Sequence, residues 1–170
     1  MKLFVVAAAL LLTTPTLADD AMHATAAGFY GVLKTTQPRG VPDDADRAKL
    51  APYLSPTLEA SLKAAADAEA RFAKANKDSP PLVEGDLFSS LFEGITAFEV
   101  KACTGDATKG SCAVALTYDD HHDKPAQWTD TVYLVKTLAG WRVDDIGYGG
   151  DWAFGNKGRL SETLKQVLSF

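Results

Sequence analysis

The stretch ITAFEVKACTGDATKGSCAVALTY, residues 95–118, is where the sequence changes from a helical period to a period of two. Thr96, Phe98 and Val100 alternate with Ala97, Glu99 and Lys101; Val114, Leu116 and Tyr118 alternate again after a loop of Gly, Thr, Ser and charged residues. Successive side chains on a strand point to opposite faces, so each run describes a strand with one buried side. A short polar connection between two such runs reads as a hairpin. Downstream, Trp128, Val132 and Leu134, and then Trp141 and Val143, continue the pattern. Four successive strands with short connections make an antiparallel meander.

Upstream the spacing is helical. Met22, Ala26, Phe29 and Leu33 form one stripe over residues 20–35, ended by QPRGVPDD. A helical turn is expected over 44–51. Ser55-Pro56 supplies an N-cap and a proline at the first helical position, opening a helix to about Ala75 along Leu58, Leu62, Ala65, Glu69 and Phe72. Leu87, Phe88, Leu91 and Phe92 suggest one further short helical piece, and Leu160, Leu164 and Leu168 mark a closing helix over 161–170. Helices first and strands after make an α+β fold: N-terminal helices packed on a curved four-stranded antiparallel meander, with a short C-terminal helix. No linker or repeat divides residues 19–170, which read as a single domain.

Residues 1–18 read as a signal peptide. Lys2 precedes the apolar run Leu3 to Leu12, and Thr16-Leu17-Ala18 offers a small residue for cleavage ahead of Asp19. About ten apolar residues fall short of the ~20 that span a bilayer, so the expected product is soluble and periplasmic or secreted, not embedded in a membrane. In an oxidising compartment Cys103 and Cys112, at the two ends of the hairpin loop, read as a structural disulfide. Without Lys2 the chain holds 16 basic and 22 acidic residues, a net charge of −6. That balance, with no basic stripe, excludes nucleic acid as an expected partner.

Trp141 to Tyr148 (WRVDDIGY), with Gly85 to Phe88 (GDLF) ahead of the sheet, resembles an exported bacterial family catalogued as domain of unknown function 3828. That family lies within the cone-shaped nuclear transport factor two-like superfamily. The resemblance covers about residues 25–168. It implies the helices-then-meander fold and a pocket between sheet and helices, and it carries over no catalytic residues.

The adjacent Asp144 and Asp145 cannot form a proton-sharing dyad on a regular strand, because neighbours face opposite ways. Regular alternation places Trp141, Val143 and Asp145 on one face, and Arg142, Asp144, Ile146 and Tyr148 on the other. Asp144 then reads as a solvated partner of Arg142. Asp145 reads as an anchor for backbone or a helix N-terminus, or as a pocket acid or base beside His23 or a tyrosine such as Tyr30. YDDHHDKP, residues 118–125, carries acids and histidines but no metal-ligand spacing, and reads as a turn without a metal. GGDWAFGNKG, residues 149–158, lacks phosphate-loop spacing; its Trp152 and Phe154 either plug the open end of the cone or form an aromatic patch for a partner.

The expected function is a non-enzymatic, cofactor-free binding module for a small molecule or an envelope protein. It would act through Asp145, Trp141, Tyr148, Trp152 and Phe154. Two alternatives stand beside it: a pocket hydrolase or isomerase using Asp145, and an inhibitor or immunity protein for an envelope-directed enzyme.

Overall fold

The computed structural model describes residues 17–170; the expected signal peptide over residues 1–18 therefore lies almost wholly outside the described residues. The order is α1 (Leu17–Thr36), α2 (Asp44–Leu50), a single 3-10 turn (Ala51–Tyr53), α3 (Pro56–Ala75), β1 (Ala97–Gly105), β2 (Lys109–Tyr118), β3 (Ala126–Thr137), β4 (Gly140–Gly147) and α4 (Leu160–Val167). The strands form one antiparallel sheet in the order β1-β2-β3-β4. This is the expected α+β meander. No helix among the described residues is long and apolar enough to cross a membrane.

The α1 stripe of Met22, Ala26, Phe29 and Leu33 is buried together with Tyr30, and it packs across β1, β2 and β4. Opposite it, Val100, Cys112, Val114, Leu116, Val132, Leu134 and Val143 line the inner face of the sheet. Ser55 caps α3 by accepting from the Leu58 N–H at 3.0 Å, with Pro56 inside the first turn. Glu69, the weak point of the α3 stripe, accepts the Leu82 N–H at 3.0 and 3.2 Å, and so ties the segment after α3 back to that helix. In α4 the buried side is Leu160, Leu164 and Val167, while Leu168 faces outward.

Cys103 and Cys112 face each other across β1 and β2 and are joined as a disulfide. Closing a loop of about ten residues restricts the unfolded chain by ~2–3 kcal/mol. Replacing both cysteines by serine is therefore expected to lower the urea midpoint, while the intact oxidised protein weighs two hydrogens less than its reduced form. Readily labelled thiols in the native protein would contradict the bridge.

Two local expectations are corrected. Residues 87–91 are a series of bends and Phe92 opens a turn, so the segment is not a helical piece. The reason is side-chain competition for the backbone: Asp86 accepts the Phe88 N–H at 2.6 Å and the Ser89 hydroxyl at 3.1 Å, which turns the chain before a helix can form. The second correction concerns β4. Tyr133 pairs with Asp145 and Leu134 with Val143, which leaves Asp144 as an extra residue in a bulge. The bulge resets the alternation: Val143 and Ile146 are both fully buried, and Asp145 falls on the side of Tyr133, away from the Trp141/Val143 face.

Candidate functional site

The site grows from one buried carboxylate in β3. Asp130 occupies an inward position of the strand between Trp128 and Val132, and it is fully buried. A carboxylate there must be satisfied internally. Oδ2 accepts the Ser90 N–H at 2.9 Å, and Oδ1 accepts both the Ser90 hydroxyl and the Gly149 N–H, the latter at 2.9 Å. Ser90 Oγ in turn accepts the Gly150 N–H at 2.9 Å. Asn156 completes the connection. Its amide nitrogen donates to the carbonyls of Asp86 and Ser89, both at 2.7 Å, and its N–H donates to the Ser90 carbonyl at 2.9 Å. Tyr148 donates to the Leu87 carbonyl at 2.7 Å. The loop before the sheet and the glycine-rich loop after it are thus fastened to each other and to β3.

This fastening sets the aromatic residues. Trp152 meets Trp128 edge to face, with ring centroids 5.0 Å apart. It also lies so close to Gly150 that a Cβ there would come within 2.1 Å of the indole. Phe92 lies over Gly85 in the same way, 2.4 Å from where a Cβ would stand. Glycine at 85 and 150 is what allows these rings to lie against backbone. Together with Leu91 and Phe154 they line an open depression of about 620 Å³, at whose edge stand Glu84 and Glu93. Phe154 is 91% exposed and Phe92 39%. Trp152 packs against Trp128 on the core side and also lines the depression.

The remaining candidate residues are dispersed. Asp145, 8% exposed, accepts the Ser161 N–H at 3.0 Å, the Ser161 hydroxyl at 2.8 Å and the Arg159 guanidinium at 3.4 Å, so it caps α4 from the neighbouring strand. Arg159 also covers the Tyr133 ring at 4.0 Å. Asp144 is not the solvated partner of Arg142. It is half-buried and accepts the Ser55 hydroxyl at 2.5 Å, whereas Arg142 donates to the Trp141 carbonyl. His23 Nε2 lies 3.1 Å from the Val100 carbonyl. Trp141 is buried under Lys136. The YDDHHDKP segment is an exposed turn held by Asp119 and Asp120 accepting backbone N–H groups, and no group of acids, histidines or cysteines suited to a metal occurs among the described residues.

Asp86 and Asp130, the buried carboxylates that bond the loop before the sheet, are not legible as site residues in the sequence. The available signal was a polar residue in an otherwise apolar alternation: Trp128, Asp130, Val132, Leu134. Burial pushes the Asp86 carboxyl up to about 6, against the lowering effect of its bonds to Phe88 and Ser89. Tyr30, sealed in the core without a hydrogen-bond partner, is held well above the usual phenol range, first by burial and then by Asp130 and Asp86. Tyr148 is raised as well, mainly by burial.

The Asp86 shift has a pH consequence. An unfolded aspartate titrates near ~3.9. Between pH ~4 and ~6 the folded protein therefore holds a proton that the unfolded chain has lost, and stability falls as pH rises through that window. Asp86→Asn removes this slope. The stability difference between wild type and variant is expected to change by on the order of 2 kcal/mol from pH ~4 to ~7, read by urea titration. Parallel curves would contradict the burial of an ionisable Asp86.

Comparison with protein-family models, with curated proteins and with solved structures gives no significant match to this chain.

Proposed function

We propose that the protein is an exported, non-catalytic binding module and that the depression lined by Leu91, Phe92, Trp152 and Phe154 is its binding surface. The observation that carries this reading is the exposure of aromatic rings on a rigid, internally bonded support. Contiguous apolar side chains left uncovered around a groove mark interaction sites, whereas singly scattered ones do not. The volume lies in the range of small-molecule clefts, ~300–1,000 Å³. The kinship with domain of unknown function 3828 and its cone-shaped superfamily is part of the proposal, supported by the WRVDDIGY pattern and by the order of helices before meander. Maturation outside the cytoplasm is supported by the Cys103–Cys112 bridge and the leader-like pattern of residues 1–18.

A catalytic reading would need Asp145 together with His23 or a tyrosine such as Tyr30 at one opening. Asp145 is engaged by α4, His23 stands at the Val100 carbonyl, and the Tyr30 hydroxyl is sealed. Nothing in that distribution favours it.

Nile red, neutral and apolar, tests the surface directly. Its emission should rise and saturate with the native wild-type protein, and Phe154→Ala should abolish most of the signal without moving the melting temperature. Absence of binding, or binding indifferent to Phe154→Ala and Phe92→Ala, would reject the depression as the binding surface.

A further inference from the structure

We infer that the occupant of the depression is a small organic cation of the quaternary-ammonium class, its methylated head against the aromatic side chains and its charge met by Glu84 and Glu93. This rests on the reading of the depression as the binding surface and adds the chemistry of what fills it.

The argument begins with the acids. Glu84 and Glu93 both line the depression, both are exposed, and neither has an ion-pair partner among the described residues. Among the described residues no lysine or arginine lines it. Two cations come near: Arg39 donates to the Phe92 carbonyl at 3.0 Å, beside Glu93, and Lys157 pairs with Asp151 at 2.6 Å. Two carboxylates against one neighbouring guanidinium leave an excess of negative charge along an apolar surface, which favours cations over anions, and the net charge of the whole chain acts in the same sense.

The aromatic content then selects among cations. A primary ammonium is strongly hydrated and would gain only at the Glu84 and Glu93 carboxylates, since Phe92, Phe154 and Leu91 offer it no acceptor. A quaternary ammonium carries its charge under methyl groups, so the same contact buries apolar surface and places positive charge against π-electron density. Zwitterions with the same head, such as betaine, bring a carboxylate toward Glu84 and Glu93 and are disfavoured. The ligand is therefore a free, net-cationic species.

The test uses the oxidised, processed protein and four probes followed by calorimetry: choline, its neutral isostere 3,3-dimethyl-1-butanol, betaine and ethanolamine. Choline is expected to bind one per chain, and the other three at least ~10-fold more weakly, a factor in keeping with a partly desolvated cation–π contact reinforced by charge. Phe154→Ala should weaken choline by ~10-fold, and Glu84→Gln with Glu93→Gln should bring choline toward its neutral isostere. Both sets of side chains are exposed, so the melting temperature should hold.

Equal binding of choline and 3,3-dimethyl-1-butanol would overturn the cation chemistry and leave the depression as the binding surface. So would failure of all four probes while Nile red binds in a Phe154-dependent way. Choline binding unaffected by any of these substitutions would overturn the assignment of the cation to this site. If neither choline nor Nile red binds, this inference and the reading beneath it fall together.

Discussion

Asp130→Ala is expected to lower the unfolding free energy by about 3–5 kcal/mol, the largest effect of any single substitution considered. The magnitude follows from what the carboxylate holds. Its removal strands the Ser90 N–H in the interior and leaves the Ser90 hydroxyl and the part-buried Gly149 N–H without their acceptor. A buried donor without a partner costs about 1–3 kcal/mol, and the cavity adds to it. Asparagine is a poor rescue. If its oxygen serves Gly149 and the Ser90 hydroxyl, its NH₂ group confronts the Ser90 N–H; the reverse orientation leaves the other two donors opposed. Asp130→Asn should therefore lose roughly 2–3 kcal/mol. Because the same bonds hold the two loops together, both variants should also shift Trp152 fluorescence to the red as its contact with Trp128 loosens. Urea unfolding curves that match wild type would show that the loops are held by packing alone.

The second large effect is expected at Asp145. Alanine there removes the acceptor for the Ser161 N–H and hydroxyl at the start of α4 and releases Arg159. Loss of a cap costs about 0.5–2 kcal/mol, and a donor left unsatisfied raises the total to roughly 2–3 kcal/mol. Amide exchange in α4 should speed up first, since this helix is held to β4 at that point. Asp145→Asn keeps one oxygen for Ser161 and should lose about half as much. Asp144→Ala should cost about 1 kcal/mol: Ser55 loses an acceptor but still caps α3 through its own oxygen. The expected order, Asp145 above Asp144, survives the change of face because Asp145 is covered by α4 and not by the main core. Equal losses in the two alanine variants would contradict the bulge geometry.

Much of the architecture was legible because it follows from short-range physics. Alternation over Val114, Leu116, Val132 and Leu134 marks strands with one buried face, and Ser55-Pro56 announces a helix start without reference to anything distant. Three features resisted. The bulge at Asp144 leaves no trace in the pattern, since WRVDDI alternates acceptably in either register; only the pairing with Tyr133 and Leu134 decides it. Residues 87–92 carry helical spacing, yet Asp86 and the serines turn the backbone by bonding to it. Asp130 was passed over because an acid within an apolar stripe reads as a lapse in the pattern, and its donors lie 40 residues upstream at Ser90 and 19 downstream at Gly149. For the same reason Trp152 and Phe154 could be named as candidates, but Leu91 and Phe92 could not be joined to them from sequence alone.

The central claim is that binding takes place at the depression carrying Trp152, and the three tryptophan indole N–H signals in a ¹H–¹⁵N spectrum of the native protein test it most directly. Trp152 lines the depression, Trp128 touches it from within, and Trp141 is buried elsewhere beneath Lys136. On titration with choline, and separately with 3,3-dimethyl-1-butanol, the account predicts a saturating shift at Trp152, a smaller one at Trp128 and none at Trp141. A shift at Trp141 with Trp152 unmoved, or no shift at any of the three with either probe or with Nile red, would contradict it.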